Sequence, residues 1–525
     1  MGNWRVLNIT AYIPEVAPIN PGTVSAIFIC ALLCILQLVG TLYDVIIERP
    51  RKNGSRKNLQ ATLEEEGISR RLLLAFSIYN NLERLFSTKQ TSGSIPCLHG
   101  IRFLSLSWVI LGHTYIYSVE TIDNPVVLLE IVKTFTFQVV LQTILAVDTF
   151  FFLGGLLLAY LLLKRLEESS EEGKTIRFLM LYVQRYLRLT PTLLFVIMVV
   201  VWVLPQLFMG PMWHSKLSSL EGCRTNWWKN ILYINNLLRD DQACLDFTWY
   251  LANDMQFFII GVPIVYLLYR YWYVGLAGQL ALLLANFAAT AVVAVEYDIR
   301  VDFFIAEAQE RRNRDEPDPK FTEYYIKPWV RIGPYLVGML VGWVLYKTRE
   351  MRQENKRDEK MVLWLVCIGW CTATATALAV VYGMYGVYNG AVLTYSGNLF
   401  FVTVHRVVWA MAIGWMVVAC YHGYGGVVNT ILSWNVWVPL SRLTYSAYLI
   451  HPIVMYLTYH TAESTIHLTT FNMIHLFLGH LMLGYGLAVL VFVFVESPII
   501  SLLKIAVGNR AAPNQHRPLD YKSLP

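Results

Sequence analysis

Runs of about twenty predominantly apolar residues recur along the whole chain, separated by shorter polar stretches. The first covers residues 24–47. Others follow at 101–118, 139–163, 189–208, 249–269, 274–295, 328–346, 361–384, 398–420, 438–459 and 472–495. Each is long enough to cross a bilayer core as a helix, which predicts an all-α, polytopic membrane protein of about eleven spans. A membrane barrel would show short alternating segments instead. Residues 68–86 carry a different pattern. Ile68, Leu72, Phe76, Tyr79 and Phe86 fall on one stripe, with Arg70, Arg71 and Arg84 elsewhere. That predicts an amphipathic helix lying on the inner leaflet or packed beneath the bundle. The chain thus divides into a short outer segment (1–23), an anchor (24–47), a basic linker (48–94), a membrane domain (95–500) and an inner tail (501–525).

Composition agrees with the pattern: of 525 residues, 56% are hydrophobic and only 15% charged, which argues against a soluble multidomain protein. The net charge of +6 is modest, requires no nucleic acid, and fits the usual cytoplasmic excess of Lys and Arg. The run Arg49-Pro-Arg-Lys-Asn-Gly-Ser-Arg-Lys57 after the first span marks a cytoplasmic flank, which places the N-terminus outside or lumenal and the C-terminus inside. Most Lys and Arg then fall on the inner side, although the outer loop at 296–327 is unusually basic around Arg311, Arg312 and Arg314. Asn8, in Asn-Ile-Thr, becomes a candidate glycan acceptor, whereas Asn53 lies on the wrong side. Of the eight cysteines, those within apolar segments read as small hydrophobes. Cys367 and Cys371 lie one turn apart without His, Asp or Glu close by in sequence, so no metal site is expected. Cys223 and Cys244 share an outer loop in an oxidising compartment, and a disulfide between them is the natural reading.

Ionisable groups inside the spans carry the functional question, because they are costly in a bilayer and usually face a bundle interior or a wet cavity. Arg102 and His113 are eleven positions apart. At about 100° per residue they lie on one helical face, roughly 16 Å apart along the axis. The plainer reading has Arg102 snorkelling to the interface and His113 satisfied in the core. Arg185 and Arg188 stand one turn apart at the inner surface, so both guanidinium forks can face one anion. A simple headgroup anchor would look the same. Asp148, Asp254, Gln256, Arg331, Arg406, Arg442, His451 and Glu496 complete the intramembrane polar set. Arg442 and His451 fall on opposite helical faces. Together these groups are too many for a passive bundle.

Arg102 and His113 match an R-x10-H motif, and the chain resembles the acyltransferase 3 family of integral membrane enzymes. The resemblance extends to Asp148-Thr-Phe-Phe-Phe-Leu-Gly-Gly155, Arg185-Tyr-Leu-Arg188 and Thr248-Trp-Tyr-Leu-Ala-Asn-Asp254-Met-Gln-Phe. It continues through Leu443-Thr-Tyr-Ser-Ala-Tyr-Leu-Ile-His451-Pro452 to Glu496-Ser-Pro498, covering about residues 95–500. Its details are most similar to the animal nose-resistant-to-fluoxetine-like branch. Bacterial relatives usually have Ser-Gly where Gly154-Gly155 stands and often Glu near Asp254. Branch members commonly carry a cysteine-rich outer domain before the first anchor, which is expected either to be absent here or to lie outside this chain.

The resemblance implies an enzyme that takes an acyl group from cytoplasmic acyl-CoA, a co-substrate and not a bound cofactor, and gives it to a hydroxyl acceptor in or across the membrane. Arg102, Arg185 and Arg188 would hold the CoA phosphates and His113 would act as general base. Asp148 or Asp254 could orient the histidine, and the sequence does not choose between them. A carrier for lipids or lipophilic molecules would use the same cavity without chemistry and would tolerate His113→Gln. A receptor-like scaffold is disfavoured by the density of intramembrane charge.

Overall fold

The computed structural model describes residues 19–54, 67–89, 94–171, 173, 176–210, 213–238, 243–302, 320–355 and 362–508, and every regular element among them is helical. Asn8, the basic run at 311–314 and the tail beyond Gly508 lie outside the described residues.

Eight helices are long and apolar enough to cross a membrane: Pro21–Arg51, Ile144–Glu171, Phe178–Leu207, Asp246–Arg270, Trp272–Glu296, Leu363–Tyr388, Tyr395–Tyr421 and Thr470–Ala506. The protein is an integral, multi-pass membrane protein. The other three expected spans fold as the helices Cys97–Ser118, Ile332–Asn355 and Thr444–His460. They fall short of the same standard because they are more polar or, at 17 residues, shorter. Two of these helices carry Arg102, His113 and His451, Arg331 immediately precedes the third, and all three pack against the more apolar ones. The expected total of about eleven spans therefore stands at eight by length and apolarity among the described residues.

The amphipathic segment is two helices, Ile68–Ala75 and Ile78–Phe86, where one was expected. Ser77 breaks it by capping the second helix, its hydroxyl accepting from Asn80 N and donating to buried Asp44 at 2.6 Å. The fourth expected span also starts earlier than expected, at Phe178 instead of 189. Arg185 is consequently two turns inside the helix and buried, because a carboxylate waits for it there.

Four π-helical turns occur among the described residues, and each ends two residues before a proline: Asp44–Glu48 before Pro50, Val199–Val203 before Pro205, Phe321–Ile326 before Pro328 and Phe492–Glu496 before Pro498. Proline offers no N–H and crowds the carbonyl four residues back, so the preceding turn widens to relieve the clash.

Helix Ile332–Asn355 lies along Ile144–Glu171 at unusually close range. A Cβ on Gly155 would stand 2.0 Å from the Tyr335 carbonyl oxygen, and one on Gly338 2.0 Å from that of Phe152. Small residues let two backbones approach where lipid offers no hydrophobic drive for association. Beyond Ser118, Ile466 N donates to Thr121 O (2.9 Å) and Asp123 N to Ile466 O (3.1 Å). This pairing ties the C-terminal end of the Cys97–Ser118 helix to the loop that follows Thr444–His460, holding those two helices side by side. The Cys223–Cys244 disulfide forms in the segment between Phe178–Leu207 and Trp249–Arg270. Next to it, Asn230 Nδ2 donates to the Cys244 carbonyl and to Thr248 Oγ1, each at 2.7 Å, which fixes the entry into the Trp249–Arg270 helix.

Candidate functional site

His113 meets His451 across the paired helices, with Nδ1 of His113 3.0 Å from Nε2 of His451 and the rings 5.2 Å apart and nearly parallel. The other nitrogen of His451, Nδ1, lies 3.0 Å from the Ala447 carbonyl oxygen. The hydrogen-bond network assigns the protons. A carbonyl only accepts, so Nδ1 of His451 carries the proton and its Nε2 the lone pair. With both rings neutral, His113 donates from Nδ1 and keeps the lone pair on Nε2. Among the described residues nothing hydrogen-bonds that Nε2, and His113 is half-buried, not sealed in the core. The imidazole is therefore held in one tautomer with its basic nitrogen unused.

Aromatic residues surround the pair. Tyr117 lies 5.1 Å from His113 and 4.9 Å from Tyr456, ring to ring, and Tyr448 lies 6.2 Å from His451 and 5.5 Å from Tyr250. Tyr448 is pinned by its hydroxyl, which donates to the Phe247 carbonyl (2.6 Å), and Tyr445 one turn before it donates to that of Leu189 (2.7 Å). The histidine pair is thus flanked by aromatic rings, Tyr448 being fixed at its polar tip.

Three turns toward the N-terminal end of the same helix, Arg102 is half-buried and makes no hydrogen bond or ion pair among the described residues. The charge that bears most on it is a second guanidinium, Arg188, also half-buried. Glu496 bears on Arg188 and accepts from Ser446 Oγ at 2.5 Å. Two guanidiniums are thus brought near one another in a membrane interior, where charge is costly and usually faces a wet cavity.

The remaining expected residues are placed elsewhere. Neither carboxylate proposed to orient His113 does so: Asp148 binds Arg331 Nη1 through both oxygens (2.9 and 3.1 Å), and Asp254 binds Arg185. Arg185 is thus neutralised, with Phe258 stacked 4.3 Å from its guanidinium, which sets it apart from Arg102 among the three expected anion-holding arginines. Arg331 also donates to the Tyr325 carbonyl (2.7 Å), and Arg406 donates to that of Val330 (3.1 Å). Arg442 caps the linker by donating to the carbonyls of Arg84 and Leu85 at 2.7 and 2.9 Å. These groups hold helices together. The pairing of His113 with His451 joins residues 338 apart in sequence, and no spacing could have signalled it. The tyrosines looked like ordinary span residues.

A family model described as an acyltransferase domain matches residues 95–495. The chain is 32% identical over 510 residues to Nose resistant to fluoxetine protein 6 of Caenorhabditis elegans, an alignment covering 93% of this chain and 60% of that protein. The chain therefore spans well under two thirds of that relative's length. It is also 24% identical over 462 residues to Regulator of hypoxia-inducible factor 1 of the same organism, covering 81% of this chain and 84% of the relative. No solved structure matches. The family match encloses the histidine pair, Arg102, Arg188 and the helices that position them, and the chain belongs to the acyltransferase 3 family.

Proposed function

We propose that the chain transfers an acyl group from cytoplasmic acyl-CoA to a hydroxyl acceptor at or across the membrane. The observation that carries this reading is one helix bearing an unpaired cation, Arg102, and three turns away a histidine whose basic nitrogen is unused. Helix rise separates them by about 16 Å, close to the reach of a pantetheine arm from its phosphates to its thioester. Arg102 and Arg188 hold the phosphates as planar, permanently charged forks.

The chemistry at the upper end follows from the tautomer. His113 Nε2 accepts the proton of the acceptor hydroxyl as its oxygen attacks the thioester carbonyl. The tetrahedral intermediate collapses, the carbon–sulfur bond breaks and CoA thiolate departs. The imidazolium returns its proton to that thiolate, giving an ester and CoA-SH with no net proton released. His451 supports the cation by accepting from His113 Nδ1 throughout.

The arrangement is consistent with about eleven alternating spans, the linker 48–94 inside and the disulfide loop outside, where an oxidising compartment favours it. Incubation of the purified chain with radiolabelled acetyl- or palmitoyl-CoA and a lipid extract tests the reading, with transfer of label to an acceptor expected. Binding of lipophilic molecules without transfer, retained in His113→Gln, would instead identify a carrier.

A further inference from the structure

The N-terminal helix Pro21–Arg51 lies outside the matched acyltransferase domain, and most of its surface faces outward. A few side chains break that pattern, Gln37 among them. Gln37 is 1% exposed, and its Nε2 donates to the carbonyls of Val493 (3.2 Å) and Phe494 (3.3 Å). Both belong to the π-turn Phe492–Glu496. Phe494 is four residues before Pro498, so no backbone N–H is available to it from that position, and a carbonyl left bare in the membrane is costly. Asn81 of the linker completes the hold: it donates to Val493 O (3.3 Å) and accepts from Ser497 Oγ (2.8 Å). A π-turn inserts one residue and rotates everything after it by about 100° relative to a regular helix. The turn therefore decides which way Glu496 points.

We infer that the anchor is a positioning element of the anion-holding mouth: Gln37 fixes the π-turn at Phe492–Glu496 and thereby sets Glu496 against Arg188. The inference rests on the reading of Arg188 as a phosphate-holding cation. Helix Phe178–Met198, which carries Arg188, packs directly on this turn. Gln37 touches no substrate and acts only through Glu496.

The test uses the full chain in lipid nanodiscs, with palmitoyl-CoA as the probe. Gln37→Met keeps the volume and removes the donors. It is expected to weaken palmitoyl-CoA binding about fivefold while the single-turnover rate of bound protein changes less than about twofold. In an Arg188→Gln background the same substitution is expected to add nothing. A loss of equal size in both backgrounds, or no loss in the single variant, overturns the inference. A second arm reads the geometry without ligand. Glu496→Cys is labelled with a polar maleimide, and adding Gln37→Met is expected to raise the labelling rate severalfold. An unchanged rate overturns the anchor's hold on Glu496. If labelling responds while Arg188→Gln binds palmitoyl-CoA as the unaltered chain does, the acyl-CoA reading of Arg188 fails and the hold of the anchor on Glu496 is supported.

Discussion

Nδ1 of His113 lies 3.0 Å from Nε2 of His451, and Nδ1 of His451 lies 3.0 Å from the carbonyl of Ala447. The backbone thereby sets the tautomer of the second ring, and the second ring sets that of the first. Removing the middle member is expected to release His113 into either tautomer. His451→Phe should lower the single-turnover transfer rate by about 10²–10³-fold, within the range of general acid–base effects. Palmitoyl-CoA binding should stay within about twofold. His451→Gln, which still offers an acceptor to His113, should lose less.

The buried ion pairs divide from the site cations by what they do. Arg331 and Asp148 are both fully buried and pair with one another. Asp148→Asn should destabilise the chain by about 3–5 kcal/mol, because it leaves a guanidinium in the interior without its charge partner. Arg102 has no such partner, so Arg102→Gln should leave the thermal midpoint in detergent nearly unchanged and weaken palmitoyl-CoA binding instead. Midpoints and dissociation constants for both variants check the division.

Much of the fold was legible because a bilayer demands long apolar runs, and the chain displays them. Less legible were the helices Cys97–Ser118, Ile332–Asn355 and Thr444–His460, whose polar side chains are their reason for being inside. For the site, the face shared by Arg102 and His113 follows from helical geometry alone. The neutralisation of Arg185 by Asp254 does not, since the two are 69 residues apart and only packing brings them together. Nor could a one-dimensional pattern show that His451, nine positions past Arg442, faces the R-x10-H helix. The earlier start of the fourth span was hidden by Arg185 and Arg188, which mimic a cytoplasmic boundary when read without their partners.

Close packing at the glycines yields a sharp contrast. Gly155→Ala would place a methyl group 2.0 Å from the Tyr335 carbonyl oxygen, whereas nothing lies within 4 Å of the same position at Gly278. The first substitution should cost about 1–3 kcal/mol or more by forcing two backbones apart. Gly278→Ala should be neutral or slightly stabilising in its helix. Thermal unfolding of the two variants in the same detergent decides.

The Cys223–Cys244 disulfide closes a loop with a sequence separation of 21. In the chain-entropy model such a link contributes about 3 kcal/mol. Non-reducing peptide mapping of protein taken from the cell surface should recover the two cysteines as one linked species. Finding both as thiols would refute the outer placement of this loop.

The central claim is that His113 performs chemistry and does not merely line a cavity. Its most direct measurement is single-turnover transfer of radiolabel from palmitoyl-CoA to acceptors in a lipid extract, comparing the unaltered chain with His113→Ala at saturating palmitoyl-CoA. The account expects binding within about twofold of the unaltered chain and a transfer rate lower by about 10²–10⁴-fold. Full transfer by His113→Ala would contradict it and remove the histidine pair from the mechanism.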